Sequence, residues 1–219
     1  MDMHQVKTRS EDVLRELKAR RIIAIIRAAG EEEAEHIATA AISGGITAIE
    51  IAVNMPGAMG AIRRLAGREG VLVGAGTVVN AKLAKGAIEA GAQFVVSPHT
   101  DRRIIDAATE FGVLASTGAA TPTEVVTAWA LGARLVEVFP AASFGGPSHI
   151  AALKVPLPFI ELMATGGVNL NNILDYFRAG VSTVGVASGL IDPWAVETGR
   201  WDVITHKATA LTAKLSLLT

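Results

Sequence analysis

The sequence predicts a (β/α)8 barrel of the TIM-barrel class, and three observations carry that prediction. Short β-branched runs alternate with Ala-rich stretches of helical period along the chain. Eight such runs occur. Gly45, Gly91, Gly112, Gly132 and Gly180 each close a helical stretch just ahead of a strand, where a glycine supplies the left-handed turn after a helix. Their spacing is about 20 residues or about twice that, one βα unit per step. An open doubly wound sheet is the structural alternative, but no GxGxxG follows the first strand.

The first element is a helix over "SEDVLRELKAR", with Ser10 as its N-cap, placed to close the bottom of the barrel. The strands follow as "RIIAIIRA" (21–28), "AIEIAV" (48–53), "VLVGAGTV" (71–78) and "QFVVSP" (93–98). The second half supplies "VLAST" (113–117), "LVEVFP" (135–140), "IELMATGG" (160–167) and "TVGVAS" (183–188). Between them lie patterns such as "EEEAEHIATAAISGG" and "NNILDYFRAG", with apolar residues at helical spacing. No linker-like stretch interrupts the pattern, so residues 1–219 read as one barrel domain.

Composition bounds the function. Half of the residues are hydrophobic but only 5% are aromatic, so Ala, Val, Ile and Leu must fill the core. No apolar run approaches the roughly 18 residues that cross a bilayer, and "MDMHQVKTRSEDVL" lacks the apolar core of a signal peptide. There is no cysteine, which excludes thiol catalysis. A net charge of −1 without a basic patch argues against nucleic acid. The expectation is a cytoplasmic protein with neither membrane nor nucleic-acid partners.

In a barrel the chemistry sits at the C-terminal ends of the strands. There the sequence places Arg27, Glu50, Asn54, Thr77, Pro98, His99, Glu137, Phe139, Thr165, Gly166, Gly167 and Ser188. Strand alternation sorts them by face. Ile49, Ile51 and Val53 suit packing under helices, which leaves Ala48, Glu50 and Ala52 facing the barrel, small residues around one acid. On the sixth strand Val136 and Val138 point to the helices, so Leu135, Glu137 and Phe139 point inward.

The segments "GGITAIEI" (44–51), "VGAGTV" (73–78), "GAQFVVSPH" (91–99), "TPTE" (121–124), "VFPA" (138–141) and "TGGVN" (165–169), in that order, resemble the KDPG/KHG aldolases. These are class I lyases that release pyruvate from 2-keto-3-deoxy-6-phosphogluconate or 4-hydroxy-2-oxoglutarate. The resemblance runs from about residue 20 to residue 205 and implies a (β/α)8 barrel, usually a homotrimer. By resemblance Glu50 matches the general acid/base. Thr77 and Arg27 match groups near the pyruvyl carboxylate, and Pro98 and Phe139 match pocket walls. Thr165 belongs to the same substrate site, and Gly166, Gly167 and Ser188 match the site for a distal phosphate or carboxylate. The glycine turn also has its own warrant, since its backbone N–H groups can cradle an anion at a strand end.

The departures are as informative. Where the family carries its Schiff-base lysine, two residues before the Phe of "FP", this chain has Glu137. Thr117 and Ala164 stand where prolines are common, and Asn54 where some members bind a carboxylate with arginine. A carboxylate cannot form the imine that serves as electron sink, and none of Lys7, Lys18, Lys82, Lys85, Lys154, Lys207 and Lys214 falls on a strand. Two inward carboxylates at roughly 5 Å repel by about 3 kcal/mol at an effective dielectric near 20. A shared proton, Arg27, or a cation such as Mg2+ or Mn2+ held by Glu50 and Glu137 would relieve that repulsion. The readings left open are an aldolase without a lysine, a metal-assisted oxaloacetate decarboxylase, and an inactive trimeric binding protein or scaffold.

Other polar residues have plainer readings. His99 reads as a loop histidine before a metal ligand, and His36 and His149 as solvent-facing. "EEEAE" (31–35) reads as an acidic first helical turn. Trp129, Trp194 and Trp201 read as outer-surface or interface residues.

Overall fold

The computed structural model describes residues 3–218. Helix α1 (Met3–Arg20) leads into β1 (Ile22–Ile26), α2 (Glu31–Ser43), β2 (Ala48–Ala52), α3 (Ala58–Ala66) and β3 (Leu72–Gly76). Next come α4 (Ala81–Glu89), β4 (Phe94–Ser97), α5 (Arg102–Glu110), β5 (Leu114–Ala119), α6 (Pro122–Ala130) and β6 (Leu135–Val138). A short 3-10 turn, Ala141–Phe144, precedes α7 (Pro147–Lys154), β7 (Leu162–Thr165), α8 (Ile173–Arg178), β8 (Thr183–Val186), α9 (Pro193–Glu197) and α10 (Trp201–Leu215). The strands run β1 to β8 in sequence order as a closed parallel barrel, with β8 returning to pair with β1 through Ile23↔Gly185. The open-sheet alternative is thereby excluded.

Two apolar clusters follow from strand alternation. Residues facing outward, among them Ile49, Ile51, Val136 and Val138, join the helices in one large core. Residues facing inward, including Ile23, Leu72, Phe94, Leu114, Leu135 and Met163, pack with Val13 and Leu17 of α1. The N-terminal helix therefore closes the barrel bottom with Val13, Leu17 and the partly buried Leu14, as the sequence indicated. Phe94 fills space that only a glycine leaves open, because a Cβ at Gly74 would collide with its ring.

Gly45, Gly91, Gly112, Gly132 and Gly180 all have positive φ, from +69° to +109°, the conformation their place after a helix calls for. The "TPTE" segment is a capping box. Thr121 accepts from the Glu124 N–H, and the Glu124 carboxylate accepts from the Thr121 N–H, starting α6.

One expectation fails at the N-terminus. Ser10 is not an N-cap, since α1 begins at Met3 and runs through it. The apolar pattern that marks the helix starts only at Val13, so the sequence offered no periodic signal for the turns before it. Among the described residues no helix is long and apolar enough to cross a membrane.

Candidate active site

The C-terminal ends of the strands enclose a cavity of about 150 Å3. Arg27, Glu50, Thr77, Pro98, Glu137, Phe139, Thr165, Gly166, Gly167 and Ser188 all line it. The structure thus brings together ten of the residues placed at the strand ends, while Asn54 and His99, placed there as well, do not line the cavity. Ile25, Val96, Val168, Gly185 and Ala187 complete the wall. Ile25, Val96, Gly185 and Ala187 were legible by the same alternation, as further inward positions of β1, β4 and β8.

Glu50 and Glu137 are 3% and 4% exposed, the two buried acids of the described chain. Burial pushes the Glu50 carboxyl well above its usual range, the charge of Glu137 pushes it further, and Arg27 opposes both. Burial likewise raises Glu137 to about 7, against the pull of the Thr165 hydroxyl. The repulsion is mutual, and Arg27, a shared proton or a cation would relieve it. Two glycines make room here. A Cβ at Gly76 would collide with Glu50 Oε1, and one at Gly185 would stand 2.6 Å from Thr165 Oγ1.

At one side of the mouth Arg27 Nη2 donates to Thr77 Oγ1 at 3.2 Å. Thr77 has φ +58°, a left-handed conformation that costs a β-branched residue energy and recurs at functional sites. At the other side Gly166 and Gly167 have φ +92° and +85°. The side-chain amides of Asn169 and Asn172 donate to the Gly167 carbonyl at 3.1 and 2.9 Å. That fixes the turn while the N–H groups of Gly167 and Val168 find no acceptor among the described residues, so they are free for an anion. The Phe139–Pro140 peptide bond is cis.

Other candidates stand apart. His99 is exposed, its Nδ1 3.2 Å from Ser97 Oγ, and lines a shallower depression beside the cavity. His149 is not solvent-facing as the sequence suggested: its Nε2 donates to the Ala120 carbonyl at 2.6 Å and ties the first turn of α7 to the connection between β5 and α6. His36 is exposed and stacks on Trp201 at 5.1 Å. In the "EEEAE" turn, Glu31 and Glu35 pair with Arg64 and Arg68, so these acids join α2 to α3 and its C-terminal end.

Among the described residues no lysine lines the cavity. Lys154 donates to the carbonyls of Pro158 and Ile160 at 3.0 and 2.9 Å, ahead of β7 and therefore below the barrel. Lys18 pairs with Glu161 at the same end. Among the described residues no three of His, Cys, Asp and Glu cluster as a ready-made metal cage. The two carboxylates are the donors a metal would find at this mouth.

A closed (β/α)8 barrel with buried acids at the C-terminal mouth defines an enzyme-like barrel. Comparison with known proteins places it further. The family model for KDPG and KHG aldolase matches residues 13–207. A probable 2-dehydro-3-deoxy-6-phosphogalactonate aldolase of Rhizobium meliloti is 37% identical over 177 residues, covering 80% of this chain and 83% of the relative. A 2-dehydro-3-deoxy-phosphogluconate aldolase of Pseudomonas aeruginosa is 33% identical, covering 91% of each. The crystal structure of the Legionella pneumophila KDPG aldolase, with pyruvate captured as a covalent carbinolamine, superposes with a TM-score of 0.84. It is 28% identical, with 91% of this chain and 97% of that one covered. The chain belongs to the KDPG/KHG aldolase family and is, as a member, a lyase.

Proposed function

We propose that this chain is a carbon–carbon lyase that releases pyruvate from small 2-keto acids without a Schiff-base lysine, with Glu50 and Glu137 taking the lysine's place. One observation carries the reading: two buried carboxylates face a cavity that holds no lysine. A protein freed from catalysis has no physical reason to keep a repelling pair of acids in a barrel mouth.

The surrounding groups suit such a substrate. Arg27 and Thr77 take the keto-acid carboxylate, Pro98 and Phe139 wall the pocket, and Thr165 orients the ketone end. The Gly166–Gly167 turn and Ser188 take a distal phosphate or carboxylate. In aldol cleavage, ionised Glu50 removes the proton of the C4 hydroxyl. The C3–C4 bond then breaks, its electron pair forms the C2–C3 enolate, and the aldehyde leaves. A proton returned to C3 gives pyruvate. In the Legionella relative pyruvate is held covalently. In this chain a cation held by Glu50 and Glu137 would supply the positive charge that stabilises the enolate oxygen.

Oxaloacetate is a second substrate reading. The observation favouring it is again the lysine-free cavity, because CO2 departs with no base needed to deprotonate an alcohol. The homotrimer implied by the resemblance belongs to the same proposal. Its support is an exposed apolar surface in which Trp129, 40% exposed, meets Phe159, 59% exposed, edge to face at 5.1 Å.

The test is pyruvate release from KDPG, 4-hydroxy-2-oxoglutarate and oxaloacetate, each with Mg2+ and with EDTA. Turnover of any one establishes the lyase, and the preferred substrate names the reaction. No release from all three under both conditions would leave a binding protein or scaffold.

A further inference from the structure

We propose that Glu50 and Glu137 form a divalent-cation site for a hard ion of the Mg2+ or Mn2+ class, completed by the 2-keto acid itself. This rests on the lyase reading and names what neutralises its acid pair.

Two observations support it. First, the ion pairs of the described residues all lie elsewhere. Among the described residues no arginine, lysine or histidine comes within pairing distance of either carboxylate, and Arg27 gives its Nη2 to Thr77. Second, Glu50 Oε2 is buried without a hydrogen-bond partner, on a residue only 3% exposed that lines the cavity, and a buried oxygen is rarely left unpartnered.

The donor set selects the ion. Carboxylates and a hydroxyl, with no thiol or imidazole lining the cavity, suit a hard cation and disfavour zinc or copper. Two protein carboxylates leave most of an octahedral shell open. A 2-keto acid closes a five-membered chelate through one carboxylate oxygen and the ketone oxygen, and waters complete the shell. The bare site is therefore a weak one, and cation and keto acid bind cooperatively. Bound there, the cation polarises the ketone and stabilises the enolate as a Lewis acid.

The test is Mn2+ binding to the full chain, read from the electron paramagnetic resonance signal of free Mn2+, alone and with oxalate as a planar analogue of the pyruvate enolate. Oxalate is expected to tighten Mn2+ binding by about tenfold or more, and Glu50→Gln and Glu137→Gln each to lower that ternary affinity by a similar factor. Both are isosteric, and circular dichroism verifies their folding. Mn2+ binding that is absent with oxalate, or equal in all three proteins, would overturn the site. So would pyruvate release that runs at full rate in EDTA, although the lyase reading would then stand. Ternary binding without pyruvate release from any substrate would confirm the site and remove the lyase.

Discussion

Arg27 and Thr77 hold each other at the mouth of the barrel: the guanidinium donates to the threonine hydroxyl at 3.2 Å, and Thr77 adopts a left-handed backbone to receive it. The pair stands beside Glu50, whose charge Arg27 partly offsets. In this position the arginine can meet the carboxylate of a 2-keto acid while the acid pair meets its ketone.

Replacing Arg27 with Ala should therefore weaken substrate binding more than it slows chemistry. A charge-assisted hydrogen bond is worth about 1.5–3 kcal/mol, so KM should rise about tenfold to a hundredfold with kcat changed only a few-fold. Steady-state kinetics on the preferred substrate checks the split. A loss confined to kcat would place Arg27 in the chemistry instead.

Glu50→Gln should reduce kcat by about a hundredfold to ten-thousandfold, the range for removing a general base. Its thermal midpoint should not fall, because a buried repelling charge is lost. An unchanged rate would make the acid structural.

Gly76→Ala tests the same acid by steric means. The added methyl collides with Glu50 Oε1, the movable end of a side chain, so the barrel should fold while the carboxylate is displaced. Turnover should fall by about tenfold or more from misplacement alone, with the circular dichroism spectrum unchanged.

The acid pair also sets a pH dependence of stability. Burial raises folded Glu137 from 4.5 to about 7, so across that window the folded state holds a proton that the unfolded state has lost. Its contribution is complete below pH 4.5 and is lost as pH rises through 7. Urea unfolding of the metal-free protein should thus show lower stability at pH 8 than at pH 5, by on the order of 2 kcal/mol, and Glu137→Gln should flatten the slope. Asp101, held at about 2 by Arg103, has the opposite sign but acts below pH 4, outside the window.

How much of this was legible in the sequence depends on range. The eight strands and the glycines before them follow from local period and from φ demands that a single residue type satisfies. The inward set, Glu50 and Glu137 included, follows from a period of two once a strand's outward face is fixed by its apolar residues. Contacts between elements distant in sequence were not legible. His149 read as solvent-facing because its own helix gives no hint that the Ala120 carbonyl lies 2.6 Å away. Nor does a threonine announce a left-handed backbone, so Thr77 was placed but its conformation was not. The start of α1 was missed because apolar spacing, the usable signal there, begins ten residues after the helix does.

Position 137 itself can be tested by introducing the lysine that the family resemblance implies for it. In Glu137→Lys the new amine should project into the cavity, and borohydride with pyruvate should leave a reduced adduct on that residue by mass spectrometry. Absence of the adduct in a folded variant would mean that the side chain at 137 does not reach the keto acid.

The most direct measurement is a borohydride quench of the wild-type chain during turnover of its best substrate, followed by intact-mass and peptide analysis. Pyruvate should accumulate while the protein mass stays unmodified, since the cavity that Glu50 and Glu137 face holds no amine. A reduced pyruvyl adduct on any lysine would contradict lysine-free catalysis and return the chain to imine chemistry.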